Sequence, residues 1–224
     1  TTGTTAYVLD QAAPTAVFSA ATDDVGPVTG SLTSGDTTDD TTLVLSGTNE
    51  AGSTVEVFNG VTSLGQATIS GTSWSYSATV ADGTTYQFNV KETDAAGNTS
   101  AATSNFEVTG DTTAPTLTVS SVSLSADTGT SSTDEVTNTA SQTISGTLSG
   151  TLASGDILYG SVDNGSNWTD ITSKVSGTAI SWDGATLSGS SNIVFKITDT
   201  AGNDSTTTGT TAYVLDQAAP TAVF

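Results

Sequence analysis

The chain has 224 residues, with 3 basic and 23 acidic side chains, a formal net charge of −20, and 34% hydrophobic residues. Three lysines cannot form the basic surface with which a nucleic-acid-binding protein displaces counterions. Because Cys, His and Met are absent, the usual ligands of zinc, haem and iron–sulfur sites are missing, disulfides cannot form, and His-dependent nucleophilic catalysis has no base. Oxygen ligands remain, and these suit a hard cation such as Ca²⁺.

Short runs of alternating apolar and polar residues follow one another along the chain, separated by Gly, Asn, Asp and Ser. This pattern is typical of β-strands, and no segment shows the 3.6-residue period of a helix. In chain order, the predicted strands are Thr15–Ser19, Thr42–Thr48, Ser53–Phe58, Ser63–Ser70, Trp74–Val80, Thr84–Thr93, Thr99–Val108, Leu117–Ser123, Gln142–Thr147, Ile157–Ser161, Asp170–Val175, Ala179–Trp182, Asn192–Thr198 and Thr206–Leu215. Two sets of seven strands predict an all-β fold of two tandem immunoglobulin-like Greek-key β-sandwiches.

Alternation within the strands also predicts the core. Large apolar side chains on one face of two equivalent strands, together with two tryptophans, should form the two cores: Tyr86, Phe88, Val90, Ile193, Phe195, Ile197, Trp74 and Trp182. Trp168, in a turn region, is the aromatic residue that this pattern does not assign to a core.

A long internal repeat sets the domain organisation. Residues 1–18 and 207–224 both read TTGTTAYVLDQAAPTAVF, at an offset of 206 positions. A looser copy begins at Asp111, so that Asp10, Asp111 and Asp216 are 101 and 105 residues apart. Such periodicity indicates an array of similar units. We therefore expect an elongated array with the last strand of a preceding repeat at 1–9, one Ig-like repeat at 10–110, a second at 111–216, and the first strand of a following repeat at 217–224.

We interpret the chain as a monomeric fragment cut from such an array. It begins inside the repeated pattern, and no signal sequence or membrane-spanning segment of ~20 apolar residues is visible. Acidic chains rich in Ser, Thr and Gly are often disordered. Here the alternating apolar runs favour a folded chain, particularly when calcium is present.

The acidic residues cluster at predicted turns and linkers rather than along the strands. The candidate ligands are Asp24, Asp39 and Asp40 in the first loop of repeat one, Asp127 and Asp134 in the equivalent loop of repeat two, Asp94 with Asn98 and Asp199 with Asn203 in the last hairpin turns, and Asp10, Asp111 and Asp216 in the linkers. Like charges a few ångströms apart repel, whereas Ca²⁺ takes about six to eight oxygen ligands and converts that repulsion into a cross-link.

The topology of the sandwich predicts where these acids meet. The last hairpin turn should lie at the end of a domain where the chain comes in, and the first inter-strand loop at the opposite end. We therefore expect the first loop of repeat one, the linker at Asp111 and the turn at Asp199 to converge on one junction. The alternative is a solvated acidic surface, with Asp and Asn chosen as turn residues.

Several segments resemble a known family. TDDTTLVLSGTNEAGSTVEVF, GTSWSYSATVADGTTYQFNVKETDAAGNTS and the linker pattern D-x-x-A-P-T are similar to bacterial immunoglobulin-like repeats of giant Gram-negative adhesins. LSADTGTSSTDEVTNTASQTISGTLSG and SVDNGSNWTDI resemble a second subtype. The resemblance covers essentially the whole chain. It implies a calcium-stiffened extender of a type I-secreted, biofilm-associated or RTX adhesin, located outside the cell, with neighbouring repeats as its partners.

The same resemblance implies that Asp94, Asp111, Asp199 and Asp216 are calcium ligands, supported by Asp24, Asp39 and Asp40. Repeat two departs from the pattern, because Asn138 and Thr139 align with Asp39 and Asp40. Its distal loop should hold fewer ions or use Asp127 and Asp134. Glu92, aligned with Ile197, is a second departure, either an additional ligand or an acid at an exposed edge.

Two other functions compete with the extender. A carbohydrate- or host-surface-binding sandwich would use an exposed aromatic residue close to acids, and Trp168 is the candidate. A glycoside hydrolase would need paired carboxylates in one cleft. The acids here recur at structural junctions instead, so we do not expect an enzyme.

Overall fold

We describe residues 9–221 in a computed structural model of the chain. The chain forms two compact units, which divide between Thr113 and Ala114. Each unit is a sandwich of two sheets, and the predicted all-β fold of two tandem Ig-like domains is confirmed. Within residues 9–221, no helix has the length and apolar character needed to cross a membrane.

Within the described residues, unit one has ten strands. They are β1 Val17–Asp23, β2 Gly30–Ser31, β3 Asp36–Thr38, β4 Thr42–Thr48, β5 Thr54–Asn59, β6 Thr62–Gln66, β7 Thr68–Ser70, β8 Ser73–Thr79, β9 Thr85–Thr93 and β10 Phe106–Gly110. One sheet has the order β2-β1-β4-β8-β7, and the other has the order β3-β10-β9-β5-β6.

Unit two repeats this plan, with nine strands and one short 3₁₀ helix among its described residues. They are β11 Val119–Leu124, β12 Val136–Thr137, β13 Ser141–Leu148, β14 Ile157–Ser161, β15 Thr169–Asp170, the helix Thr172–Lys174, β16 Val175–Ser176, β17 Ala179–Thr186, β18 Ser190–Thr198 and β19 Thr208–Leu215. The sheets have the orders β11-β13-β17-β16 and β12-β19-β18-β14-β15. Residues 217–221 form no strand, and residues 1–8 and 222–224 of the predicted flanking strands lie outside the described part.

One predicted strand in each unit changes sheets. Ser63–Ser70 is divided at Ala67, so that β6 pairs with β5 in one sheet and β7 pairs with β8 in the other. Asp170–Val175 is divided in the same way, with β15 on β14 and β16 on β17. Alternation identifies the extended segment but contains no information about its partner, which explains why each pair was predicted as one strand.

Two short strands that the sequence pattern missed position the acidic loops. β3 runs parallel to β10, with Thr37 opposite Thr109, and β12 runs parallel to β19. The N–H of Asp111 donates to the carbonyl of Thr38 at 2.8 Å. In unit two the N–H of Asp216 donates to the carbonyl of Thr137 at 2.9 Å. The start of each linker is therefore hydrogen-bonded to the first loop of its own unit.

The predicted core residues are buried, with one exception. Trp74 and Phe88 belong to the core of unit one, and Trp182 and Phe195 to the core of unit two, whereas Tyr86 is half-buried. Each core tryptophan lies against a glycine: Gly47 for Trp74 and Gly160 for Trp182. The two domains thus use the same packing device at different places.

Strand direction defines two poles in each unit. In unit one, the carboxy-terminal pole carries the end of β1, the loop between β3 and β4, and the end of β10, where the chain leaves. The amino-terminal pole carries the loop between β4 and β5, the turn after β9, and Asp10, whose carbonyl accepts a hydrogen bond from Asn98 Nδ2 at 3.3 Å. The acidic segments of unit one therefore lie at its two ends.

Candidate functional site

Thr38 lies at the centre of an acidic cluster at the carboxy-terminal pole of unit one. Its hydroxyl donates to Asp23 Oδ2 at 2.6 Å and accepts from the N–H of Asp40 at 3.2 Å. Asp40 Oδ2 in turn accepts from the N–H of Asp24 at 3.3 Å. Together with the bond from Asp111 to the Thr38 carbonyl, these contacts bring the first loop and the linker together within the unit.

Burial distinguishes the acids of this cluster. Asp23 is 2% exposed and Asp40 is 3% exposed, whereas Asp24 is exposed. The sequence pattern predicts Asp24 as a ligand, but in the structure the carboxylate that turns inward is that of Asp23. Asp23 follows Ala21 by two positions on β1, so it continues the inward face of that strand. Extending the alternation of β1 would have identified it.

No lysine neutralises this cluster. Lys174 pairs with Asp183 at 2.6 Å, and Lys196 pairs with Asp204 at 2.7 Å. Lys91 lies over the ring of Phe58, 5.1 Å from its centroid. Because the chain has three basic residues in all, the buried carboxylates of Asp23 and Asp40 have no basic side chain as counter-ion.

Asp82 holds the beginning of the linker, a role that the sequence did not reveal. Its carboxylate accepts from the N–H of Thr112 at 2.7 Å and from the hydroxyl of Thr113 at 3.1 Å. The Thr112 N–H, and then the Thr113 hydroxyl, lower the pKa of Asp82. An Asp-Gly pair such as Asp82-Gly83 indicates by itself only a turn. Its hydrogen bonds to residues thirty positions away depend on the tertiary fold.

At the equivalent pole of unit two, the partners of Thr137 and Gln142 are neutral groups. The hydroxyl of Thr137 donates to the carbonyl of Ala126 instead of to a carboxylate. Gln142 Nε2 donates to the carbonyl of Thr139 at 2.7 Å and to that of Ala126 at 3.2 Å. The two loops therefore differ in their hydrogen bonds as well as in the residues Asn138 and Thr139 that align with Asp39 and Asp40.

The acids of unit two form a separate group beside this network. Asp127 Oδ2 accepts from the N–H groups of Asp134 and Glu135 at 3.0 and 3.1 Å. Burial, and then the charges of Asp127 and Asp134, raise the pKa of Glu135, while the N–H of Leu124 acts in the opposite direction. Asp127 and Asp134 are thus close to each other, and the charges of both repel the carboxylate of Glu135.

The Asp residues of the last hairpin turns shape those turns. Asp94 Oδ1 accepts from the N–H groups of Ala96 and Asn98, both at 2.8 Å, and Oδ2 accepts from the Asn98 side chain. The Asn98 amide is the main cause of the lowered pKa of Asp94. Asp199 binds the N–H and side chain of Asn203 in the same manner. Turn formation accounts for these residues, and a metal would be an additional role.

The arrangement within each unit provides part of a metal site. Among residues 9–221, no group of three or more acidic side chains is placed to hold a metal ion. The donor chemistry of Asp23 and Asp40 fits Ca²⁺, which prefers carboxylate oxygens, but two carboxylates do not complete its coordination. Further oxygen ligands would be needed to complete it.

Glu92 is not an acid at an exposed edge. It lies on β9 opposite Val55 of β5, and its side chain is fully buried. Its Oε1 accepts hydrogen bonds from the N–H of Glu50 and the hydroxyl of Ser53. The prediction of Glu92 as an acid at an exposed edge is therefore wrong.

Trp168 is half-buried and one of its faces is occupied. Lys196 Nζ lies 5.3 Å from the centroid of Trp168 and 5.3 Å from that of Tyr159. The same ammonium group pairs with Asp204. A lysine held between two rings favours a cation–π cluster on the sheet surface over an open aromatic platform for a sugar.

The loop before Trp168 provides a pH-dependent test of stability. Hydrogen bonds from Asn167 and Ser161 lower the pKa of Asp163 to about 2. Because the ordinary value is 3.8, ionised Asp163 stabilises the fold above pH 3.8, and this contribution disappears as the pH falls towards 2. We expect Asp163→Asn to lower the melting temperature of unit two at pH 7, with a smaller difference from wild type near pH 2. Calorimetry in chelator at pH 7, 4 and 2.5 measures this, and a constant difference would contradict it.

Comparisons with known proteins agree with the architecture. Residues 11–112 and 113–217 each match the family described as bacterial Ig-like domain. A search of curated proteins found no match. The chain is similar to the fibronectin(III)-like modules of Clostridium thermocellum CbhA, with 17% identity, 82% of this chain and 90% of that chain covered, and a TM-score of 0.51. At this identity the similarity supports the fold alone.

A chimeric titin Z1Z2-Z1Z2 tandem carrying a GRGDS peptide from fibronectin also matches. The identity is 15%, the coverage is 90% of this chain and 100% of that chain, and the TM-score is 0.30. That score is too low to carry an argument.

Proposed function

The chain belongs to the bacterial Ig-like domain family, and we propose that it is an extender segment of a large cell-surface adhesin. Ig-like and fibronectin III-like domains are mostly structural or binding modules. Two such domains in tandem, joined without an intervening linker domain, suit a stalk whose length grows with the number of repeats. The distal part of the parent protein would then make the adhesive contact that supports biofilm formation.

Calcium at the junctions is the second part of the proposal. The observation that carries it is the pair of buried carboxylates, Asp23 and Asp40, beside the linker residue Asp111 and without a lysine as counter-ion. A bound Ca²⁺ would neutralise them and fix the linker. The proposed ligands are Asp23, Asp39, Asp40 and Asp111 at the carboxy-terminal pole of unit one, supported by Asp24. The other candidate ligands are the turn acids Asp94 and Asp199 with Asn98 and Asn203, and the linker acids Asp10 and Asp216.

The proposal also assigns a location. Bacterial Ig-like domains are often extracellular, where calcium is abundant, and we place this segment on the surface of a Gram-negative cell after type I secretion. A chain without Cys needs no oxidative folding. Low calcium inside the cell would leave the carboxylates in mutual repulsion, which favours an unfolded chain ready for export. Calcium outside would bind the folded state and stabilise it.

Small-angle scattering of the full chain in millimolar calcium and in excess chelator tests this function. We expect a larger, narrowly defined maximum dimension in calcium and a flexible pair of domains in chelator. Asp111→Asn should weaken the response to calcium, because it removes a linker carboxylate. Asp183→Asn is the matched control, since it removes an exposed carboxylate of unit two that pairs with Lys174 and belongs to neither acidic loop. Superimposable curves with and without calcium would contradict the proposal, and a glycan-binding screen with a Trp168→Ala control would follow.

A further inference from the structure

The amino-terminal pole of unit one contains a buried polar pocket formed by Asn49, Ser53 and Glu92. These residues are 7%, 5% and 0% exposed. Asn49 Nδ2 donates to the hydroxyl of Ser53 at 3.2 Å and to the carbonyl of Glu50 at 2.8 Å. Ser53 contacts Glu92 Oε1 in turn. One serine hydroxyl thus joins the amide and the carboxylate in a single network.

Two oxygen atoms of this pocket lack a partner. Within residues 9–221, neither Glu92 Oε2 nor Asn49 Oδ1 has a hydrogen-bond donor, although both atoms are buried. Buried polar atoms are normally hydrogen-bonded, because an unsatisfied group loses its hydration without compensation. Both atoms are acceptors, so the missing partner has to be a donor or a cation.

The charge of Glu92 favours a cation. The side chains of the three lysines, the only basic residues in the chain, are engaged elsewhere, with Asp183, Asp204 and the ring of Phe58. A buried charge without a counter-ion is strongly unfavourable. A water molecule could hydrogen-bond to both oxygens but would leave this charge uncompensated.

The fold itself does not require a polar pocket at this place. In unit two the positions of Asn49 and Glu92 are taken by Leu148 and Ile197, which are 2% and 0% exposed in its core. The pairing of Val55 with Glu92 corresponds to that of Leu158 with Ile197. The same architecture therefore packs with apolar residues, and the polar set in unit one calls for a different explanation.

We propose that Glu92 Oε2 and Asn49 Oδ1 bind a Ca²⁺ ion within unit one. A carboxylate and an amide carbonyl are hard oxygen ligands of the kind that Ca²⁺ takes, with water completing the coordination. The carbonyl of Glu50 already accepts from Asn49 Nδ2 at 2.8 Å and from the N–H of Ser53 at 3.2 Å, so the two unpartnered oxygens are the side-chain ligands of this site. This site belongs to the interior of one domain, and it is independent of the proposed calcium-dependent stiffening of the linkers.

The test measures calcium stoichiometry in the full chain, by equilibrium dialysis and elemental analysis, for wild type, Glu92→Gln and Glu107→Gln. Gln at position 92 keeps the size of the side chain and one acceptor oxygen, and it removes the negative charge. We expect Glu92→Gln to bind one ion fewer per chain and Glu107→Gln, which removes an exposed charge, to bind as many as wild type. An unchanged stoichiometry in Glu92→Gln would overturn the proposal in favour of a water-filled or protonated pocket.

Two further measurements keep the test decisive. The double variant Asn49→Leu with Glu92→Ile copies the pocket of unit two; it should fold and also lose one ion. In chelator, Glu92→Gln should melt at a higher temperature than wild type, because it removes an uncompensated buried charge. Scattering separates this site from the linker function: Glu92→Gln should leave the calcium-dependent change of shape intact. If Glu92→Gln binds one ion fewer but the scattering of the chain does not change with calcium, the result would support this site and contradict the extender proposal.

Discussion

Gly47→Ala should unfold unit one well below the temperature at which the wild-type domain melts. A Cβ atom at position 47 would lie 1.9 Å from the carbonyl oxygen of Val17 and 2.6 Å from Trp74 Nε1. These two groups are hydrogen-bonded to each other at 3.0 Å. The new methyl group therefore forces either β1 away from β4 or the tryptophan out of the core. We expect a loss of about 3 kcal/mol, at the upper end of the usual cost of overpacking.

Gly146→Ala is the matched control in unit two, because Gly146 occupies the equivalent position on β13. The two atoms nearest to its Cβ would be side-chain atoms, Val119 Cγ1 at 3.2 Å and Ile180 Cδ1 at 3.4 Å, which can move by a few tenths of an ångström. The Ser120 carbonyl oxygen, at 3.7 Å, is at ordinary van der Waals distance. We expect a loss below about 1 kcal/mol. Calorimetry should show the transition of unit one lowered by at least about 10 °C in Gly47→Ala. Equal shifts in the two variants would contradict this account of the packing.

The strands and the core could be predicted from the sequence because they depend on local alternation. Phe88, Val90, Phe195 and Ile197 were assigned to the cores from their position in two equivalent strands, and all four are buried. The internal repeat supported this assignment, because the equivalent strands of the two units show the same alternation. Local pattern and tertiary burial agree wherever one face of a strand meets the opposite sheet.

The details of the acidic site could not be predicted in the same way. Alternation along β1 turns Asp23 inward, but it does not reveal the partner Thr38, which lies fifteen positions away on β3, a strand held in the sheet by its parallel pairing with β10. The contact of Asp82 with the linker likewise joins residues that have no common local pattern. The exposed-edge alternative for Glu92 was wrong for a related reason. A charged residue in a strand predicts an exposed position unless its buried partners are known.

The largest ligand effect should be the dependence of thermal unfolding on calcium. An ion that binds only the folded state at a concentration of about 100 times its Kd stabilises that state by about 2.7 kcal/mol. For a domain of this size, that corresponds to an increase in melting temperature of roughly 10–20 °C. We therefore expect unit one to melt at least about 10 °C higher in millimolar calcium than in chelator, by calorimetry. An identical melting temperature in both buffers would contradict calcium binding by this domain.

The residues responsible can be separated with variants that act at different poles. Asp23→Asn combined with Asp40→Asn should reduce the calcium-induced shift of unit one without abolishing it, because the pocket at Glu92 is untouched. Adding Glu92→Gln should remove most of what remains. The control, Glu56→Gln combined with Glu107→Gln, changes the net charge by the same amount at solvent-accessible positions and should keep the full shift. Each variant is compared with itself in the two buffers, so any loss of stability from the substitutions cancels. A full calcium shift in the triple variant would place the ions elsewhere in the chain.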